Sequence, residues 1–272
     1  MHNLVSPSQL IKGIKMTFLK TTIYIAFTVL LTLNSVQARV KIGPMVIMTE
    51  TKQGQAKGVI TLSNEGAEKV RFRLYSSPFT YNQKGLQVAE SQENDLSPYL
   101  IFSPRVLVIP PRQTRRVRLL ARILPSMAKR EYRAVIFAGQ VKKESTEGLS
   151  INSRIGVAVY VRHGNLSFEL SAKGATYDPD ERKIVLMIRN RGKASVRPGI
   201  RWRLIQRGKE IKSGGYSAFT ILAESIRHIP IRFFKEGDKP ISGRFRLKGE
   251  LVWGRSDAPE TLPFDFRVFI PK

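Results

Sequence analysis

Short runs of alternating apolar and polar residues recur about every ten residues between Val40 and Ile270, each bounded by turn residues. Almost no stretch shows the 3.6-residue apolar spacing of a helix. In VRFRLYSSPF (70–79), Val70, Phe72 and Leu74 point one way and Arg71, Arg73 and Tyr75 the other. A chain built of such strands has to bury one face of each, and a second sheet is what covers it. Two sets of about seven runs predict an all-β chain of two successive seven-stranded β-sandwiches. In the first run, VKIGPMVIM (40–48), Gly43-Pro44 interrupts the pattern where a strand sits at an edge or changes sheet. The turn NRGKAS after IVLMIR echoes NEGAEK after VITLS, with Asn-x-Gly at the end of the second strand in both sets. Two sandwiches of one type follow, with a boundary near Arg162–Asn165.

Residues 1–38 read as a targeting segment. Lys12, Lys15 and Lys20 form a basic approach, and IYIAFTVLLTL (23–33) is an apolar stretch too short for a comfortable membrane span. Val36-x-Ala38 is a small-residue signal-peptidase pattern, which predicts cleavage after Ala38, with Met1 or Met16 as the start. The expected division is a signal peptide over 1–38, one sandwich over 39–163 and a second over 164–272. No stable membrane insertion is expected once the leader is gone, and the expected location is the periplasm.

The 272 residues contain no cysteine and three histidines, His2, His163 and His228. Disulfides, thiolate nucleophiles and cysteine-based zinc sites are thereby excluded, and a histidine metal cluster has almost nothing to draw on. Paired catalytic carboxylates, nucleophile elbows and phosphate-cradling glycine loops are missing in their required contexts. The acidic cluster Asp178–Glu181 reads as a solvated turn, because Arg182 and Lys183 follow where a calcium loop needs oxygen ligands. No enzyme, cofactor or metal is expected.

The formal net charge is +25, which favours anionic partners and says nothing about fold. Alternation sends the arginines of RQTRRVRLLAR (112–122), GIRWRL (199–204) and GRFRLKG (243–249) to outer faces. Nucleic acid is not an expected partner, since no stacking-aromatic motif accompanies them and export removes the partner.

One strand stands out. In SINSRIGVAVYVRHG (150–164), Ile151, Ile155, Val157, Val159 and Val161 share a face, and the run leads directly into a turn. The order of features resembles the periplasmic pilus-assembly chaperones. FSPRVLVIPPRQTRRVRLL (102–120) resembles that family's proline-flanked apolar stretch, turn and Arg-Val strand. KREYRAVIFAGQV (129–141), with Arg130-Glu131, resembles its sixth strand, and SRIGVAVYVR (153–162) resembles the seventh, which runs into the hinge.

The resemblance implies two immunoglobulin-like sandwiches set as an L. It also implies that the strand Ser150–Arg162 is donated to pilus or fibre subunits lacking one of their own. Under it, Ile151, Ile155, Val157, Val159 and Val161 contact the subunit. Each apolar side chain would contribute about 1.5–3 kcal/mol on full burial. An outer-membrane usher and a self-capping homodimer are further partners implied. The family's carboxylate-anchoring lysine aligns with Gly156, and its first-strand arginine falls near Pro44 or Met45. Arg154, on the same face as Gly156, is therefore the candidate anchor, with Arg39 and Lys41 as further candidates. Read without the resemblance, the same residues describe an exported cationic module docking on acidic envelope polymer or protein. That reading predicts salt-sensitive binding.

Overall fold

The computed structural model describes residues 40–82, 85–90, 92–141, 154–217, 219–234, 240–255 and 257–271. The leader, Arg39 and Ile151 lie outside the described residues, as does most of the charged segment that precedes Arg154.

The first sandwich pairs a four-stranded sheet with a five-stranded one. The former runs in the order β1 (Val40–Gly43), β3 (Gln55–Asn64), β9 (Thr114–Arg122), β7 (Leu100–Ser103). The latter runs β2 (Val46–Glu50), β11 (Arg154–Arg162), β10 (Glu131–Val141), β4 (Val70–Ser77), β8 (Val106–Ile109). β5 (Phe79–Asn82) and β6 (Gly85–Val88) form a separate two-stranded hairpin. The chain changes sheet at Gly43-Pro44, between β1 and β2, as the sequence indicates. It changes again at Pro104, between β7 and β8. Proline lacks the N–H that a continuing ladder would need. The alternation in 70–79 is realised, with Val70, Phe72 and Leu74 buried in the core beside Ile60, Leu62, Val117 and Ile136.

The second sandwich packs β12 (Leu170–Asp178), β13 (Lys183–Asn190) and β16 (Ser225–Ile231) against β15 (Lys209–Tyr216), β14 (Gly199–Gln206), β17 (Gly243–Arg255) and β18 (Ala258–Ile270). Ile184, Leu186 and Ile188 of β13 face Trp202, Leu204, Phe245 and Leu247 in its core. Among the described residues the only helical element is a single 3-10 turn, Ser97–Tyr99.

The Asn-x-Gly echo is a shared piece of three-dimensional structure. Asn64 donates to the carbonyls of Glu68 and Ile109, and its side-chain oxygen accepts from Gly66 N–H. Asn190 donates to the carbonyls of Ala194 and Leu222 and accepts from Gly192 N–H. Each amide closes its own turn and ties a distant segment to it, so each stays buried with its polar atoms paired. The Asp178–Glu181 stretch is a turn in which the Asp178 carboxylate accepts from the N–H groups of Asp180 and Glu181.

Candidate functional site

The outer face of the five-stranded sheet carries the features that the sequence singles out. β11 pairs antiparallel with β10 along its whole length. On its other side it pairs with β2, but only from Ala158 to Arg162. The leading part, Arg154–Val157, therefore has one open edge. Ala158 N–H donates toward β2, to the Met45 carbonyl at 3.0 Å. Backbone polarity alternates along a strand, so the N–H and C=O groups of Arg154 and Gly156 point to that same side and meet no strand there.

The side chains of β11 divide otherwise than the alternation suggests. Val157, Val159 and Val161 are 1–2% exposed and belong to the core of the first sandwich. They fill their own domain and are not displayed for a partner, which corrects the expectation that they contact a subunit. Alternation shows that these residues share a face; it does not show that the first sandwich already covers it. Ile155, half-buried at the start of the strand, packs on the margin of that core.

The opposite face of β11 is Gly156, Ala158, Tyr160 and Arg162. Arg154, exposed, stacks its guanidinium 4.4 Å from the centre of the Phe137 ring and donates to Tyr75 Oη at 3.1 Å. Tyr75 and Phe137 are themselves 5.4 Å apart, centre to centre. One guanidinium N–H is thus held by Tyr75, leaving others for an anion. Gly156 sits across from Phe137 in the ladder. A Cβ at Gly156 would come within 2.9 Å of a Val135 methyl carbon and 3.0 Å of the Phe137 ring. The glycine leaves room for the Phe137 ring, on which Arg154 stacks. Val106, Val108 and Val141 continue an exposed apolar margin on this face, with Arg71 and Arg73 between them.

Lys41 does not join Arg154. It pairs with Ser63 on β3 and points to the outer side of the other sheet. The candidate anchors are therefore not gathered in one place, and Arg39 lies outside the described residues. About eight residues of β11 separate Arg154 from the hinge, roughly 26 Å of strand.

At the hinge end, the structure shows a buried polar latch that the sequence reading missed. Ser195, from the second sandwich, donates its N–H to the Glu131 carboxylate at 2.9 Å, and its hydroxyl donates to the same carboxylate. Arg162 donates to the Ser195 carbonyl at 2.7 Å and lies 3.7 Å from Glu131. Burial pushes the Glu131 carboxyl above the usual carboxylate range, against the lowering effect of the Ser195 bonds and of Arg162. Burial also lowers the neighbouring Arg133 guanidinium. Beside the latch, Leu222 of the second sandwich joins Phe79, Val135, Phe137, Ala158 and Tyr160 in an apolar cluster. Arg227 stacks 4.8 Å above Tyr81. Gly164, at φ +89°, makes the turn out of β11 with the Lys129 side chain against it. A signal for the latch was present in Arg130-Glu131: a carboxylate opening a largely apolar strand needs a buried partner.

No protein-family model matches the sequence, and no curated protein sequence does. Among solved structures, the class 5 fimbriae chaperone CfaA is similar, at 13% identity, 86% of this chain, 100% of that one and a TM-score of 0.47. So is the CsuC–CsuE chaperone–tip adhesion subunit pre-assembly complex from the archaic chaperone-usher Csu pili of Acinetobacter baumannii. There the figures are 12%, 86%, 100% and 0.46. The Pseudomonas aeruginosa CupB2 chaperone is similar at 10%, over 83% of this chain and 100% of that one, with a TM-score of 0.46. Among the described residues, no helix is long and apolar enough to cross a membrane, and no group of three or more His, Cys, Asp or Glu could hold a metal ion.

Proposed function

We propose that the chain is a periplasmic chaperone for subunits of a pilus or similar surface fibre, and that it works without catalysis. Signal peptidase removes residues 1–38, and the sandwiches over 39–163 and 164–272 form the working protein. The observation that carries the reading is the open edge of β11 at Arg154–Val157, beside exposed Tyr75 and Arg154, both of which pack on the buried Phe137 ring. A subunit that lacks a strand exposes a hydrophobic groove and unpaired backbone groups, which invite aggregation. A strand added from this edge satisfies those groups, at about 0.5–1.5 kcal/mol per backbone pair.

The donated part is the leading portion of Ser150–Arg162. Ile151 and Ile155 supply apolar contacts, while Val157, Val159 and Val161 hold the strand in its own sandwich. Arg154, oriented by Phe137 and Tyr75, takes the subunit's terminal carboxylate. Delivery to an outer-membrane usher, and capping of the edge by a second copy at rest, belong to the same reading.

The test is to refold a strand-deficient pilin subunit from denaturant with the chain from Arg39 onward. A soluble one-to-one complex on size exclusion is the expected result, weakened by Arg154→Glu. A subunit that aggregates as it does alone overturns the reading.

A further inference from the structure

The second sandwich is closed on one side and open on the other. At the closed side the edge strands β12 and β18 pack against each other. At the open side, between the edge strands β15 and β16, lies a cavity of about 790 Å³. The register shows which side chains turn into it. Lys212, Gly214 and Tyr216 stand opposite buried Leu204, Trp202 and Ile200, so they face the space between the sheets. Arg227 and Ile229 stand opposite buried Ile188 and Leu186 and do the same. A Cβ at Gly214 would come within 2.8 Å of the Trp202 ring, so this glycine leaves the indole bordering the cavity. Phe219, Ile229 and Phe233 extend the apolar wall.

The charged lining is cationic. Lys212, Arg227 and Arg232 border the cavity, and no acidic residue among the described residues does. Arg227 also stacks on Tyr81, and Arg232 lies 3.6 Å from Glu181 in an exposed pair of little strength. Tyr216 reaches across the opening and donates to the Pro230 carbonyl at 3.4 Å. Burial pushes its phenol up to about 12, while Arg227 and Arg232 pull it down; both guanidinium groups therefore lie close to its hydroxyl.

A gap between two edge strands takes either another strand or a small molecule. The edges themselves oppose a strand. β16 carries Pro230, and Arg227 and Lys212 turn charges inward, which are devices that block strand addition. We propose that the cavity binds a small amphipathic anion, an aromatic or other apolar body with a single anionic head group. Small-molecule sites enclose about 300–1,000 Å³ behind mostly apolar walls with a few polar groups, and this cavity has that size and make-up. Trp202, Phe219 and Phe233 take the body, and Arg227, Arg232 and Lys212 take the head. A polar polyanion has no apolar body for the aromatic wall, and a neutral ligand leaves the cations unmet. The inference uses no residue of β11 and does not rest on the chaperone reading.

The test uses the chain from Arg39 onward, which contains every described strand. The probe is anilinonaphthalene sulfonate, an aromatic body with one sulfonate, titrated at about 0.15 M salt so that distant charges are screened. Saturable one-to-one binding by dye fluorescence and calorimetry is expected. Phenylnaphthylamine, the same body without the sulfonate, should bind the wild-type chain about tenfold or more weakly. Lys212→Glu with Arg232→Glu should weaken the sulfonate by a like factor and leave the neutral dye unchanged. Arg203→Glu with Arg244→Glu, the same charge change on the outer face of this sandwich, should alter neither by more than about twofold. Thermal melts confirm that both variants are folded. Equal affinity for the two dyes would overturn the proposal, as would equal loss in the two double variants or none in the first. Displacement of the dye by inorganic sulfate would reduce the site to its cations and overturn it too, and so would the absence of saturable binding.

Discussion

Replacing Gly156 by alanine should destabilise the first sandwich, although a strand normally gains from that exchange. The added Cβ would stand 2.9 Å from the Val135 methyl carbon and 3.0 Å from the Phe137 ring, closer than side-chain carbons ordinarily sit. Both neighbours are buried, and Phe137 is further held by Tyr75 and Arg154. Overpacking of this kind costs about 1–3 kcal/mol. The lower chain entropy of alanine in the unfolded state offsets about 0.4–1 kcal/mol of it. A net loss of about 0.5–2 kcal/mol by urea denaturation is expected, or a few degrees in Tm at about 2–4 °C per kcal/mol for a protein of this size. The cause is checked by a double-mutant cycle. In a Phe137→Leu background the ring is gone, and the cost of Gly156→Ala should fall by about 1 kcal/mol, a coupling typical of touching residues. A neutral or stabilising Gly156→Ala would refute the reasoning. So would the same cost in both backgrounds, because steric contact with the ring could not then be the reason for glycine.

Val157→Asp should cost more than about 4 kcal/mol and abolish the near-ultraviolet circular dichroism of the first sandwich, because it places a charge in the core. Arg154→Glu, on the exposed side of the same strand, should change stability by no more than about 1 kcal/mol in urea titrations. Glu131 has a raised pKa in the folded chain, so the folded state binds its proton more tightly than the unfolded state does. Wild-type stability relative to Glu131→Gln should therefore grow as pH falls from neutral through the raised value toward about 4.5, and level off below; thermal melts at stepped pH would expose a constant gap if this is wrong. Asn64→Ala leaves the buried Ile109 carbonyl without its donor, and Asn190→Ala the buried Ala194 and Leu222 carbonyls, at about 1–3 kcal/mol apiece. Calorimetry should show the former lowering the transition of the first sandwich and the latter that of the second; equal effects on both would count against two parallel motifs.

The sequence by itself determined the strands, their grouping and the change of sheet at Gly43-Pro44. Period-two alternation and proline's missing N–H are local properties, legible wherever they occur. It also placed the paired asparagine turns, whose three-residue spacing is local too. What alternation could not say is which side of a strand its own domain covers. Val157, Val159 and Val161 read as a face on offer, yet the four-stranded sheet across the core already packs against them. Gly156 looked like a lost lysine, and only the position of Phe137 on the neighbouring strand gives it a packing role. Glu131 and Ser195 stand 64 residues apart in the chain and meet because two sandwiches fold against each other. Lys41 and Arg154, anchor candidates under the family resemblance, lie on opposite sheets. Residue type and period are set by neighbours in sequence, whereas exposure, partnership and charge balance are set by neighbours in space.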